Sequence, residues 1–292
     1  MQNGIYDLDS KKLLPHDKNK YLNYILNFSY DSKLDLNKFK DTNIYSWLNF
    51  IANSNPDLIF FLLCYINCII LSKTQYQVYI ELIGRGGTGK STFINLISAL
   101  IGRNNISITD LHKLETNKFE TSNLKDKKLI LINDSSQYRG KVSVLKNIIG
   151  LDFLRYEEKM KQPGKPFIIN GLIIISSNEL LQLGDLTSGI SRRRIILFFN
   201  KKPAKTLNLI NLVDDHYEGL FVNELALLFF YCLNISNIDV DRIMSNPMNL
   251  PLLKSYFLTN LKFTNHIADF IFNYLVFLPS LSPSYLPLFK DS

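Results

Sequence analysis

Cysteine is scarce in this chain. Only Cys64, Cys68 and Cys232 are present, with no even set at framework spacing and no partner histidines at metal-ligand spacing. That excludes a disulfide-stapled secreted scaffold and a Cys/His zinc module, and it fits a reducing compartment such as a host cytoplasm or an organelle stroma. Cys64 and Cys68 lie one helical turn apart in an apolar run and read as core. Tryptophan occurs once, at Trp47, and alanine only at Ala52, Ala99, Ala204, Ala226 and Ala268. No apolar run reaches the roughly 20 residues of a membrane span. Residues 58–71 are interrupted by Asn67, and the apolar stretch 270–289 is cut by Pro279, Pro283 and Pro287. The first ten residues are polar and lack the apolar segment of a secretory leader, so neither a leader nor a membrane partner is expected. Internal repeats and low-complexity linkers are absent as well.

What is present is the composition of a folded globular chain. Of 292 residues, 46% are hydrophobic and 20% charged, enough for one large domain or two modest ones. The net charge of +7 favours a polyanionic partner. The 20 Phe and 15 Tyr, with abundant Ile, Asn and Lys, reflect AT-rich codons. They lengthen apolar runs without implying a function.

The chain is organised around residues 78–94, VYIELIGRGGTGKSTFI. An apolar, β-branched run ends in Gly84, Arg85, Gly86, Gly87, Thr88 and Gly89. An apolar-periodic helix then begins at Lys90, Ser91 and Thr92. Strand, glycine-rich loop and helix start form the context of a phosphate-binding loop, G-x-x-x-x-G-K-[ST]. Glycines let backbone N–H groups turn toward an anion, and the helix dipole adds positive potential there. Lys90 can reach the outer phosphates of a nucleoside triphosphate, and the Ser91 hydroxyl is placed for Mg2+.

Strands and helices alternate downstream. The expected strands are 106–108, 129–132, 172–176 and 195–199, and the expected helices are 93–101 and 142–149, with 208–233 read as helical throughout. Upstream, residues 5–14 read as a hairpin and 36–68 as helices broken at Asn55 and Pro56. Asp134 follows a buried strand, where a carboxylate would assist Mg2+ or water. Asn178 ends another buried strand and could orient the attacking water. Residues 154–171 read as two extended pieces raising Lys159, Lys161 and Lys165 on a turn at Pro163 and Gly164. Arg192, Arg193 and Arg194 enter the last strand, and arginines there could stabilise charge on a transferring phosphate.

Taken in this order, residues 84–92, 129–134, 145–171, 172–178 and 189–199 resemble the superfamily 3 helicases. The nearest group is the helicase part of phage, plasmid and poxvirus-type primase-helicases, AAA+-related P-loop ATPases. The resemblance covers roughly residues 3–245. It implies an α/β fold: a P-loop AAA+-like core with a central, mainly parallel sheet flanked by helices, and α-rich segments at either end. The expected division is 1–75, 76–205 and 206–292. The resemblance further implies ATP and Mg2+ as ligands, with Lys90 and Ser91 on phosphate and metal, Asp134 as the acidic residue of the second motif and Asn178 as sensor. It puts Lys159 and Lys161 on a hairpin gripping single-stranded DNA. Arg193 or Arg194, with Arg192 as the outside choice, would be a finger reaching into a neighbouring subunit of a ring, usually a hexamer. Leu151 replaces a frequent second glycine, and Ser135 replaces a frequent second acid. No primase domain is expected in these residues, so primer synthesis does not carry over: either a primase is a separate chain or this is a reduced remnant. Two other readings stay open: a nucleotide- and DNA-binding replication module that hydrolyses slowly, and a P-loop kinase indifferent to DNA.

Overall fold

A computed structural model describes residues 1–20, 22, 25–133, 138, 140–155, 165–181, 188–203, 207–264 and 266–274. Near the N-terminus a hairpin pairs β1 (Ile5–Asp7) with β2 (Lys12–Leu14). Two helices follow, α1 (Asn43–Ile51) and α2 (Pro56–Leu71). The central sheet contains β3 (Tyr79–Ile83), β4 (Ile106–Thr109), β5 (Leu129–Asn133), β6 (Leu172–Ser177) and β7 (Arg194–Phe198). It is entirely parallel, in the order β4-β5-β6-β3-β7. Between the strands run α3 (Lys90–Ile101), α4 (Leu111–Thr116), α5 (Glu120–Asn123), α6 (Ser143–Gly150) and α7 (Ser188–Ser191). The expected mixed α/β fold with a parallel sheet flanked by helices is the fold observed.

Parallel strands covered on both faces need apolar side chains at nearly every position, and β3, β5, β6 and β7 have them, whereas the edge strand β4 alternates and leaves Ile108 exposed. Successive residues alternate between two cores. Ile80, Leu82, Leu131, Ile174 and Leu197 join one core with the helices of both end segments. Tyr79, Ile130, Ile132, Ile173 and Ile175 join a second core under α4 and α6. The 16-residue α2 lies in the first core with most of its surface covered. Burial pushes the Cys64 and Cys68 thiols up to about 12, consistent with packing rather than chemistry. Among the described residues, no single helix is long and apolar enough to cross a membrane.

After the sheet the structure departs from one expectation. Residues 208–233 are not helical throughout. They begin with a hairpin of β8 (Asn211–Val213) and β9 (His216–Glu218). Asp214 and Asp215 form its turn at φ of 43° and 67°. Two adjacent aspartates tolerate that left-handed turn, whose twist suits a two-residue hairpin, and this outweighs the apolar periodicity. Helix resumes at α8 (Leu225–Leu233), followed by α9 (Asn237–Met244), α10 (Pro251–Thr264) and α11 (His266–Tyr274). The chain ends are tied together at α1. Thr42 caps Tyr45, while the Glu224 carboxylate accepts from the backbone N–H groups of Asn43 at 3.0 Å and Ile44 at 2.9 Å. Three donors at that helix start are thus satisfied, two of them by a residue some 180 positions away.

Candidate nucleotide site at the carboxyl end of the sheet

The strand order sets the site. β6 lies between β5 and β3, so the residues that leave these three strands emerge side by side at one sheet edge. The glycine loop leaves β3 there. Gly84 is required by close approach, since a Cβ at that position would stand 2.2 Å from the Phe199 carbonyl oxygen. Gly87 and Gly89 have φ of 78° and 99°, the left-handed region that glycine enters without strain. Arg85, Gly86 and Gly87 are exposed, while Thr88 is buried and donates to the Arg85 carbonyl at 2.8 Å. Gly89 starts α3, and Ser91 is exposed and Thr92 half-buried on its first turn.

The Lys90 ammonium is held at the loop's centre. It donates to the Gly84 carbonyl, to the Arg85 carbonyl at 3.3 Å and to the Asn178 side-chain oxygen at 3.1 Å. Burial lowers its pKa from the ordinary lysine value, because desolvation disfavours the charged form. Asn178, at the end of β6, therefore meets Lys90, at the end of the β3 loop, as the sequence led one to expect. Asn133 at the tip of β5 lines the same cleft. Asp134, the next residue, lies outside the described residues, as do Lys159 and Lys161.

The loop opens on a cleft of about 1380 Å3, roomy enough for a nucleotide. One wall is α1, whose Asn43, Ser46, Trp47 and Phe50 line the cleft. They are spaced i, i+3, i+4 and i+7, a single helix face. Trp47 also buttresses the loop, since a Cβ at Gly89 would sit 3.3 Å from its ring. The helical segment before the glycine loop shows no chemistry in its residue types and reads as serving packing or assembly. The spacing of those four residues was the available signal, but nothing in it tied that face to a loop 40 residues away.

The three arginines lie at the other end of the sheet. β3 and β7 run parallel with Tyr79 beside Arg194 and Ile83 beside Phe198. At about 3.3 Å per residue, that separates Arg194 from the loop level by about 13 Å. Arg194 is buried and grips the fully buried Glu81 with two hydrogen bonds of 2.6 and 2.9 Å. Burial alone would lower the guanidinium's pKa, but the charge and hydrogen bonds of Glu81 outweigh it and raise the value. This corrects the finger assignment for Arg194. A side chain enclosed by its own sheet and paired with the adjacent strand cannot reach a neighbouring subunit. The lone carboxylate inside the apolar run at β3 was the overlooked signal, because a charge in such a strand requires a buried partner. Arg193 is half-buried and donates to Gln77 at 2.6 Å. Arg192 is exposed, with no hydrogen bond to a described residue.

The fold is that of an α/β protein with a P-loop-like core, and its glycine cradle, lysine among oxygens and helix start form a concave, positively charged candidate anion site at the carboxyl end of the sheet. Known proteins extend this. A D5 N-terminal-like family matches residues 1–52, and a family of unknown function, DUF5906, matches residues 82–194. An uncharacterised mitochondrial protein of Marchantia polymorpha, ymf20, is 26% identical over 121 residues, covering 41% of this chain and 71% of that protein. Apo structures of the NrS-1 C-terminal region share the fold, with TM-scores of 0.57 and 0.55 at 18% and 17% identity. They cover 74% and 78% of this chain, which spans about half the length of those structures, 50% and 53%. The D5 N-terminal-like match supports the resemblance to phage-type primase-helicases, and the NrS-1 structures support the fold.

Proposed function

We propose that the chain is the ATPase part of a superfamily 3 DNA helicase, hydrolysing ATP to move along single-stranded DNA in the replication of a phage, plasmid or organellar element. The observation carrying this reading is the meeting of Lys90 and Asn178 at the glycine loop, 3.1 Å apart. An exposed arginine, Arg192, stands at the opposite end of the same sheet, out of reach of that loop.

ATP with Mg2+ supplies the electrophilic γ-phosphorus and the cation that offsets its charge. The chain's own groups do the rest. Backbone N–H groups from Gly86 to Lys90 hold phosphate oxygens, and the Lys90 ammonium leaves its carbonyl partners for the outer phosphates. Ser91 and Asp134 are the residues that would hold Mg2+. Asn178 orients the attacking water. Arg192, beyond reach of its own loop, serves the site of a neighbouring subunit in a homo-oligomeric ring, a hexamer in the resembling group. Lys159 and Lys161 grip the DNA backbone without reading sequence, so binding weakens with salt.

The test is phosphate release with and without single-stranded DNA, alongside the mass of the assembly with ATP. DNA-stimulated release from a ring supports the reading. A monomer indifferent to DNA would instead identify a kinase-like enzyme. Ser135, where related ATPases carry a second acid, favours a second reading: a module that binds nucleotide and DNA but turns over slowly. Ring formation and DNA binding without appreciable release would establish it. Lys159→Ala should weaken stimulation by DNA and spare basal release.

A further inference from the structure

The sheet end away from the cleft carries a polar junction built on Gln77, which no step above uses. Gln77 ends the turn before β3 in the left-handed region, with φ of 54°. Its side chain makes two bonds of opposite sense. Oε1 accepts from the Arg193 guanidinium at 2.6 Å, and Nε2 donates to the Gly150 carbonyl at 3.1 Å. Arg193 is also fastened through its main chain, its carbonyl accepting from the Tyr79 N–H at 2.9 Å. Gly150 is the last residue of α6, and the guanidinium lies close against it. A Cβ there would stand 3.4 Å from Arg193 Nη1 and 3.2 Å from the Asp152 carboxylate. Leu151 then reverses the chain at φ of 61°. Three residues later Leu154 and Phe167 exchange two backbone hydrogen bonds of 2.9 Å, the foot of the antiparallel arm expected to carry Lys159 and Lys161.

We propose that Gln77 is a positioning residue joining the arginine stretch to the foot of the arm, so that a displacement of Arg192 and Arg193 by a second copy's nucleotide is passed to the strand-gripping lysines. The inference rests on the helicase reading and deepens it. Glutamine suits the place because one amide supplies both an acceptor for Arg193 and a donor for Gly150. Glutamate keeps only the acceptor, leucine keeps neither, and asparagine keeps both groups but is one methylene too short to span the gap. Asparagine also tolerates the left-handed backbone, so that variant tests the bridge even if the leucine variant fails to fold.

The experiment measures ATP hydrolysis with and without single-stranded DNA for wild type, Gln77→Leu, Gln77→Glu and Gln77→Asn. ATP affinity, DNA affinity and the thermal midpoint are measured in parallel. The expected result is that stimulation by DNA falls about fivefold or more in all three variants, the scale of a lost coupling element, while the two affinities and the midpoint hold. A residue that merely supports the fold would move the midpoint and leave the stimulation ratio alone. If Gln77→Glu is stimulated as well as wild type, the Gly150 bond transmits nothing and the relay is overturned. Wild-type stimulation in all three overturns it outright while leaving the helicase reading intact. If wild type itself does not respond to DNA, the helicase reading fails and the relay falls with it.

Discussion

At the carboxyl end of the sheet Lys90 stands among carbonyl and amide oxygens, and among the described residues no carboxylate pairs with it. At the amino end Arg194 faces Glu81 in a two-pronged pair whose side chains are 7% and 0% exposed. Both cations are buried, at opposite ends of the same sheet, yet their partners differ in kind. Neutral oxygens leave a net positive charge for an incoming anion, whereas a carboxylate cancels it. A buried cation thus marks a binding site when its partners are uncharged, and a structural tie when they are not. Arg192 and Arg193, between these extremes, show the gradation. One is exposed, and the other is oriented by a neutral amide while the nearby Asp152 carboxylate offsets only part of its charge.

That contrast can be broken most sharply at Lys90. Lys90→Ala should abolish ATP hydrolysis, measured as phosphate release, with the fold intact by circular dichroism. Measurable turnover in this variant would mean that the two ends do not differ as described. Arg192→Ala should come next, lowering hydrolysis in the assembled state by about a thousandfold while leaving ATP affinity near wild type. Mixing it with Lys90→Ala subunits should restore part of the turnover, because each then supplies what the other lacks. Arg194→Met should leave catalysis to be judged only after stability. Removing one partner of a buried pair costs about 3–5 kcal/mol, read as a fall in the urea midpoint, and Glu81→Leu added to it should recover much of the loss. If Arg194→Met unfolds like wild type yet loses DNA-stimulated turnover, the structural assignment is wrong.

The smallest effect is in pH. Burial depresses Lys90 below the ordinary lysine value near 10.5. Between that depressed value and 10.5 the unfolded chain binds more proton than the folded one, so this group's contribution to stability rises with pH in that window. Unfolding of wild type against Lys90→Met, followed from pH 8 upward, should show the wild type gaining on the variant. A gap that widens the other way would mean that the ammonium is stabilised by a charge, as Arg194 is.

Much of this was readable from residue order. The glycine loop is specified locally, because each glycine answers a backbone demand within a few residues, and the parallel strands announce themselves by apolar runs that need no partner to be recognised. Asn178 could be anticipated because it ends such a strand. The Glu81–Arg194 pair could not be assigned, since its members are 113 positions apart and three consecutive arginines offer equal claims until the register sets one of them beside β3. The hairpin at Asn211–Val213 and His216–Glu218 escaped notice for a different reason. Its apolar content fits helical and alternating patterns alike, and the two aspartates decide the matter through backbone geometry. The part Trp47 plays was not legible, because an apolar helix face can pack against a loop and border a cleft at once.

The Glu224 clamp on α1 has a consequence for synthesis. The ribosome delivers the glycine loop and every strand of the central sheet before residue 224 emerges, so α1 waits with two N–H groups unclaimed while the rest of the parallel-sheet fold is already available. A nascent chain halted at residue 220 would own the glycine loop with an unanchored wall beside it, and the cleft would stay loose until the last quarter of the polypeptide arrived.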